Sequence, residues 1–269
     1  MAEISAALVM KLRERTGLGM MECKKALAEA NGDIDKAEEL LRVKSGAKAN
    51  KAASRVAAEG VIGAYLSGDA KLGALVEVNS ETDFVARNEE FVRFAQSLTE
   101  TVAKRDPGAA EEDQRQKLVQ KLGENITIRR FKRVQAKGKL ALYVHAGAKI
   151  GVLVDYEGPE EVGKDVAMHI AFAKPQFMTK AEVASDVVER EKQIQLARAK
   201  ESGKPEEIAK KMVEGALNKF LGEISLLGQP FIKDDKQTVE KMLASRKAKL
   251  NGYAFLVVGE GIEKAQPTH

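Results

Sequence analysis

An internal repeat constrains the fold of this chain more than any other feature of its sequence. The run at residues 70–79 recurs at residues 148–157, with a glycine and β-branched or aliphatic residues in corresponding places. Such runs predict β-strands, and each copy leads into a predicted helix that opens with two glutamates, at residues 89–91 and 160–162. The repeat therefore predicts an α+β fold whose core consists of two antiparallel-sheet-plus-helix subdomains.

The first copy carries an added segment, residues 80–88, between its strand and its helix. The second copy has only Gly158 and Pro159 at this place. The added segment predicts a tight helical turn that Thr82 or Asp83 can cap. After the turn, Asn88 is predicted to cap the next helix, whose first turn begins with two glutamates.

Phe84 has two interpretations within this segment. It lies seven residues before Phe91 and would share a helix face with it and with Phe94 or Leu98, in which case Phe84 is core and Asp83 only a cap. Alternatively, the ring and the carboxylate are presented to another molecule, since aromatic anchors beside a charge are typical of interface hot spots. The residue pattern alone leaves both interpretations open.

The strand and added segment together resemble the central signature of the elongation factor Ts family. The resemblance lies in the run EVNSETDFVAR at residues 77–87. Members of this family are nucleotide-exchange factors of the translational GTPase elongation factor Tu. The resemblance implies that Thr82, Asp83, Phe84 and Val85 disturb the Mg²⁺ site of the GTPase and promote GDP release. It places Phe84 between helices of the nucleotide domain, with Asp83 contacting the same region.

A second run, LRERTGLGMMECKKAL at residues 12–27, resembles the other signature of the family. It implies an N-terminal three-helix domain with the ubiquitin-associated type of fold. It also implies that Arg13, Met20 and Met21 face the GTPase. The alternative is that the methionines fill the core of the small bundle, and we expect this for one of the two.

The resemblance extends over essentially the whole chain. It implies that the second copy, including His145 and Gly147, grips a different domain of the GTPase. Many members continue past residues 259–264 with a further helical module that also touches the GTPase, whereas this sequence ends at His269. The resemblance therefore does not carry that contact over to this sequence.

The second copy is interrupted, because its third strand is predicted only at residues 252–258. The intervening sequence predicts two helices joined at residues 202–205, which form an antiparallel hairpin resembling the family's coiled-coil or dimerisation module and would allow a homodimer. The residues predicted to face one another across it are Val183, Val187, Ile194 and Ala197 on one helix and Ile208, Met212, Ala216 and Phe220 on the other.

These patterns define a domain scheme. Further helices are predicted near residues 113–122 and over about 235–250. The predicted domains are a helical N-terminal domain and linker at 1–55, core subdomain N at 56–138, a discontinuous core subdomain C at 139–180 plus 229–263, the helical hairpin at 181–228, and a tail at 264–269.

The charge is nearly balanced, with 44 basic and 40 acidic residues and a net charge of +4. Two runs lack acids and are candidates for contact with phosphates, so the main rival function is an RNA-binding or ribosome-associated translation protein. The aromatic content is only 5%, which leaves few rings for base stacking. We favour solvated faces for these runs: Arg42, Lys44, Lys48, Lys51 and Arg55, and Arg129, Arg130, Lys132, Arg133, Lys137 and Lys139.

Several classes of function lack support in the sequence. The single cysteine, Cys23, excludes an internal disulfide and is expected to be a small buried hydrophobe. The three histidines, at positions 145, 169 and 269, are too scattered for a metal site or a catalytic set. We find no phosphate-binding glycine loop and no convergent acid–base or nucleophile set, so we expect no direct nucleotide binding, no cofactor and no enzymatic activity.

The N-terminus indicates no export. It carries Glu3 and lacks a basic segment before an apolar block, and no apolar run approaches the roughly 20 residues of a membrane span. A cytoplasmic protein that does not enter membranes is therefore expected.

Overall fold

The structure, a computed structural model, describes residues 4–263. Glu3, His269 and the predicted tail at 264–269 lie outside the described residues. The helices are α1 (Ala6–Thr16), α2 (Met20–Glu29), α3 (Ile34–Ala52), α4 (Asp83–Ala86), α5 (Glu89–Lys104), α6 (Ala109–Leu122), α7 (Glu160–Ala173), α8 (Ser185–Glu201), α9 (Glu206–Ile224) and α10 (Val239–Ser245). The strands are β1 (Glu59–Leu66), β2 (Leu72–Ser80), β3 (Thr127–Gln135), β4 (Lys139–His145), β5 (Ile150–Glu157), β6 (Pro230–Phe231), β7 (Asp234–Thr238) and β8 (Lys249–Val257).

The sheets confirm the α+β class. One sheet has the order β1-β2-β3 and a second has the order β4-β5-β8, so the strand of the repeated run is central in both. In the first sheet β2 pairs antiparallel with both neighbours, and its register with β3 shifts between Glu77 and Val78. Strands β6 and β7 form a separate antiparallel pair.

The chain divides into two compact units. The first contains the residues up to Gln135, Val144–Gly151 and the residues from Leu256 on, and the second contains Ala136–Tyr143 and Val152–Phe255. The domain scheme drawn from the sequence, including the ubiquitin-associated type of fold, remains a prediction.

In the first unit, helix α5 packs on β1 and β2. Its apolar residues recur at helical spacing, and Phe91, Leu98 and Val102 are all at most 1% exposed. Asn88 caps the helix as predicted, because its side chain accepts hydrogen bonds from the N–H groups of Glu90 and Phe91. Gly63 lies so close to α5 that a Cβ atom there would collide with it, so this glycine sets the distance between helix and strand.

The three N-terminal helices bury a small core. Leu12, Leu18, Cys23 and Leu27 are at most 2% exposed, which confirms the buried role expected for the single cysteine. Helix α3 continues to Ala52, close to the end of the region 1–55 predicted as the helical N-terminal domain and linker.

In the second unit, His169 has a packing role. It is 1% exposed, its Nε2 lies 2.9 Å from Oε1 of Gln229, and its Nδ1 accepts a hydrogen bond from the N–H of Ile232. Burial lowers the pKa of His169, and the hydrogen bond to Gln229 opposes this only in part. The imidazole is therefore neutral near pH 7.

The helical hairpin is present, but its predicted facing residues are partly wrong. The turn between α8 and α9 falls at the predicted place, with Gly203 at φ 63° and Glu206 opening α9. Ile194, Ile208 and Met212 are exposed, whereas Ala199 and Val213 are buried. The buried side chains of these two helices are therefore Ala199 and Val213 rather than the largest apolar side chains.

Two predicted helices have different bounds. The region 235–250 is not one helix: β7 occupies its start and α10 only Val239–Ser245, because Thr238 caps α10 and Lys247, at φ 51°, lies beyond its end. Helix α6 begins at Ala109 rather than near 113, because the side chain of Glu111 accepts a hydrogen bond from the N–H of Gly108 and fixes an earlier first turn.

Candidate functional site

The added segment forms the short helix α4 with a phenyl ring on its surface. The side-chain oxygen of Thr82 accepts a hydrogen bond from the N–H of Val85 at 3.3 Å, so Thr82 is the cap. Phe84 is 83% exposed, which is more than any other large apolar side chain in residues 4–263. Phe91, by contrast, is fully buried, so the structure excludes the interpretation of Phe84 as core.

The other residues of this turn anchor it. Ala86 is 2% exposed, and the partly buried Val85 packs against the same core cluster. The carboxylate of Asp83 forms an ion pair with Arg87 one helical turn later, at 2.9 Å. The turn thus holds an exposed ring beside a carboxylate that already has a cation partner.

The strand leading into the turn is fixed by a buried carboxylate. Glu77 is fully buried and accepts hydrogen bonds from Arg129, Arg130 and the N–H of Gly259, the last at 2.8 Å. Burial opposes ionisation of Glu77, but the N–H of Gly259 and the two guanidinium groups outweigh it, so the pKa of Glu77 lies below its ordinary value. Arg130 also donates to the carbonyl oxygen of Val257. Glu77 therefore joins the end of the described chain to β2.

The residue that holds the base of the turn was not predicted from the sequence. Glu124, in the loop between α6 and β3, accepts hydrogen bonds from the N–H groups of Glu81 and Thr82 and from the Thr82 hydroxyl. The two segments are more than 40 residues apart in sequence, and no periodicity links them. The one signal in the sequence is the position of Gly123 and Glu124 directly after a predicted helix, which indicates a turn of the chain but not the contact with residues 81 and 82.

The second group of predicted site residues lies at the junction of α1 and α2. Met20 is 39% exposed, Met21 is 65% exposed, and Arg13 is exposed in the last turn of α1. The expectation that one methionine fills the bundle core is therefore wrong. Leu18 and Cys23 occupy the buried positions on either side and leave no core position for a methionine.

The third group lies at the turn between β4 and β5. His145 is exposed, and Gly147 has φ 64°, a conformation that favours glycine. The carbonyl oxygen of Ala148 accepts a hydrogen bond from the N–H of Ile62 at 2.7 Å, which attaches this turn to β1.

All predicted site residues belong to the first unit. The β4–β5 turn is further attached through Lys149, which pairs with Glu59, and Glu59 lies opposite Ser80, the first residue of the added segment. Two of the three groups are therefore tied to the same end of the β1–β2 hairpin.

The α1–α2 junction lies beside the helix that follows α4. Lys121 forms an ion pair with Glu90 of α5 at 2.6 Å and lies 3.4 Å from the carbonyl oxygen of Gly17. A cleft of about 380 Å³ separates these segments, lined among others by Leu18 and Phe94.

Most of the basic residues that could contact phosphates have acidic partners. Within residues 4–263, four of the five basic residues of the first run form ion pairs, and three of the six in the second run do. Intramolecular pairs of this kind reduce the positive potential that a polyanion would meet. Lys51, Lys132, Lys137 and Lys139 are exposed.

Other kinds of site find little support. Within residues 4–263 no group of three or more histidine, cysteine, aspartate or glutamate side chains could hold a metal ion. In the same part of the chain, every helix is too short or too polar to cross a membrane.

Comparison with known proteins identifies relatives over almost the whole length. The pattern that defines the family described as Elongation factor TS matches residues 81–260. Proteins named Elongation factor Ts from Azoarcus sp. (strain BH72) and Aromatoleum aromaticum are 54% and 53% identical, and each alignment covers 98% of this chain, with 93% and 94% of the relative. The protein of the same name from Nitrosospira multiformis is 55% identical, over 98% of this chain and 93% of its own length.

Proposed function

Because the chain belongs to the elongation factor Ts family, a family of translation elongation factors, we propose that it is a guanine-nucleotide exchange factor acting on elongation factor Tu. In this role it binds the GTPase, disturbs its Mg²⁺ site and promotes release of GDP during the elongation cycle. No covalent bond is made or broken, so the protein is an exchange factor and not an enzyme in the chemical sense.

The observation that carries this proposal is the exposure of Phe84. A phenyl ring that is 83% exposed contributes little to the stability of its own fold. It is also presented on a turn that is capped by Thr82 and attached through Ala86, so little conformational freedom is lost when it enters a pocket. An exposed aromatic side chain on a well-anchored turn of this kind is typical of interface hot spots.

The mechanism addresses slow release of a tightly held product. In P-loop GTPases the Mg²⁺ ion bridges nucleotide phosphates to protein ligands, so displacement of the ion and its loops weakens the hold on the whole nucleotide. Phe84 enters between helices of the nucleotide domain, and Asp83 contacts the same region. Asp83 is held by Arg87 in the free protein, so its contact requires that this pair open or be shared.

The remaining groups provide affinity rather than exchange. Arg13, Met20 and Met21 present exposed apolar and cationic surface to the GTPase. His145 and Gly147, on the β4–β5 turn, contact a different domain of the partner. We further propose a cytoplasmic location, no direct nucleotide binding by this chain, and the hairpin of α8 and α9 as the surface through which a homodimer would form.

The rival function as an RNA-binding protein is less well supported. In the part of the chain that the structure describes, most of the first basic run and half of the second are engaged in ion pairs, and the strands present few exposed aromatic residues for stacking. We therefore propose no second function.

The direct test is release of a fluorescent GDP analogue from purified elongation factor Tu. Catalytic amounts of the chain should accelerate release, and excess GDP should dissociate the complex of the two proteins. The second result follows from linkage, since a factor that weakens GDP binding must itself be bound more weakly when GDP is present. Unchanged release at saturating concentrations of the chain would contradict the proposal.

A further inference from the structure

The contacts of Glu124 explain how the exposed ring is held in place. Its Oε2 atom accepts hydrogen bonds from the backbone N–H groups of Glu81 and Thr82, both at 3.0 Å, and its Oε1 atom accepts from the Thr82 hydroxyl at 2.6 Å. One carboxylate thus engages three donors in two consecutive residues. We propose that Glu124 is a positioning residue for the exchange reaction, which acts by fixing the geometry of the turn that carries Phe84.

The Thr82 hydroxyl transmits the effect of Glu124 to the turn. A hydroxyl has a single hydrogen, and in Thr82 it is donated to Glu124. The oxygen lone pairs then face the opposite side and accept the N–H of Val85, the hydrogen bond that caps α4. Phe84 lies between Thr82 and Val85, so the direction of its side chain depends on this capped turn.

A reciprocal contact makes the attachment rigid. The N–H of Asn125 donates to Oε1 of Glu81 at 2.6 Å, while the Asn125 side chain donates to the carbonyl oxygen of Arg55. Arg55 in turn forms an ion pair with Glu81 at 3.2 Å. The loop around Glu124 and the start of the added segment are therefore joined by reciprocal hydrogen bonds. Glu124 accepts from the added segment, and Glu81 accepts from the loop.

The chemistry of this contact requires a carboxylate. A glutamine at position 124 would place an amide NH₂ group against either the two backbone donors or the Thr82 hydroxyl, so at least one of the three acceptor contacts would be lost. An alanine would remove all three. The effect on exchange is indirect, because Glu124 need not touch the GTPase.

The inference rests on the proposed exchange function, and the experiment compares four proteins by GDP release from elongation factor Tu. Loss of a helix cap changes the equilibrium between the capped and uncapped turn about fivefold. We therefore expect Glu124→Ala to slow GDP release at saturating factor about fivefold, and Glu124→Gln to slow it less. Glu112→Ala is the matched control, since the Glu112 carboxylate also accepts three hydrogen bonds, from Arg115 and Gln116, but none from the turn. We expect it to remain within about twofold of wild type.

A double variant distinguishes positioning from a general loss of structure. If Glu124 acts through Phe84, adding Glu124→Ala to Phe84→Ala should produce no further slowing, whereas independent effects would multiply. A multiplied loss, or normal release by Glu124→Ala beside slow release by Phe84→Ala, would overturn the inference and leave the exchange function standing.

Amide hydrogen exchange supplies a readout that does not depend on the GTPase. The N–H of Val85 should exchange several-fold faster in Glu124→Ala and Glu124→Gln than in wild type or Glu112→Ala, because its cap is loosened. If wild type fails to accelerate GDP release, the proposed function falls and this measurement alone decides the role of Glu124. Unchanged protection of Val85 would then contradict it.

Discussion

An exposed phenyl ring forgoes the stabilisation that burial would give, about 2 kcal/mol or more for a side chain of this size. In the added segment this loss is confined to Phe84, because Val85 and Ala86 on the same turn contact the core. The turn therefore separates the residues that maintain the fold from the residue available to a partner. Substitutions of Phe84 should accordingly affect function and stability very differently.

We predict that Phe84→Ala melts close to wild type but is a poor exchange factor. Truncation of a buried phenylalanine costs about 3–5 kcal/mol, whereas a ring that is 83% exposed has little burial to lose. A lost hot spot of about 2 kcal/mol corresponds to roughly thirtyfold in rate. Thermal melts and release of a fluorescent GDP analogue test this, with Asp83→Ala expected to be milder. A large fall in melting temperature with release intact would refute it.

The site could be predicted from sequence only where its residues are contiguous. The resemblance of residues 77–87 located the turn, and the repeat showed that it is an addition. The ambiguity over Phe84 could not be resolved, since Phe84 and Phe91 have the spacing of one helix face, whereas the cap at Asn88 begins a new helix and changes the phase. Glu124 was missed because its contact joins distant residues.

At the scale of elements, the α1–α2 junction presents methionines that a small bundle has no room to bury. Leu12, Leu18 and Leu27 already fill the core, all at most 2% exposed. Met20 and Met21 remain on the surface as flexible, polarisable side chains that adapt to a partner.

We predict that Met20→Ala or Arg13→Ala weakens association with elongation factor Tu and leaves GDP release at saturating factor nearly normal. These side chains add binding without touching the ion site, so the concentration for half-maximal release should rise. Val43→Ala, at a side chain of α3 that is 71% exposed, is the control. An equal fall of the saturated rate would show that the N-terminal helices take part in exchange itself.

We predict that most of the hairpin of α8 and α9 can be deleted without loss of folding if the residues at its base are retained. Replacing residues 190–217 by a short Gly/Ser loop should leave a folded core, because Ala199 and Val213 are the only buried residues removed. A wider cut through Leu226 would delete a fully buried side chain and the backbone pairing of Ser225 with Phe177. Circular dichroism and a cooperative melt of the shortened protein test this, and a molten product would mean that the hairpin helps to build the core.

Element prediction succeeded where the repeat supplied a template and for the helical hairpin, and it failed between the hairpin and β8. Strands β2 and β5 begin two residues after the runs predicted for them, 70–79 and 148–157, and end within one residue of those runs. The predicted helix over 235–250 was wrong because the helical spacing of Val239, Met242 and Leu243 spans only two turns. The polar strand β7 lacks the alternation of apolar and polar residues that predicts a strand.

On the scale of the whole molecule, the buried carboxylate of Glu77 links the stability of the fold to pH. Its pKa is lowered from the ordinary 4.5, so the ionised form stabilises the folded state above pH 4.5 and that contribution is lost as the pH falls through the lowered pKa. The stabilising contacts join residues far apart in sequence, since Glu77 accepts a hydrogen bond from the N–H of Gly259.

We predict that Glu77→Gln destabilises the protein by about 2 kcal/mol at pH 7, because charge-assisted hydrogen bonds to a buried group are lost. The difference in stability from wild type should narrow as the pH falls from 4.5 through the lowered pKa, below which the Glu77 carboxyl of folded wild type is also neutral. Denaturant melts between pH 3 and pH 7 measure both quantities. Glu89→Gln, at a side chain 92% exposed, is the control and should show neither effect. A difference in stability between wild type and Glu77→Gln that stays constant with pH would contradict the role given to the ionised Glu77.

The interruption of the second sheet has a consequence for the order in which the chain is made. Strand β5 is buried along most of its length, yet its neighbour β8 is encoded only after the whole stretch between Glu157 and Lys249. At a synthesis rate of about 5–20 residues per second, the partner strand arrives roughly 5–18 s later. During that interval one edge of β5 has unpaired N–H and C=O groups, the kind of edge that joins other chains. The nascent chain is therefore more prone to aggregation than the finished protein. The interval between synthesis of β5 and of β8 is when a chaperone would be most useful.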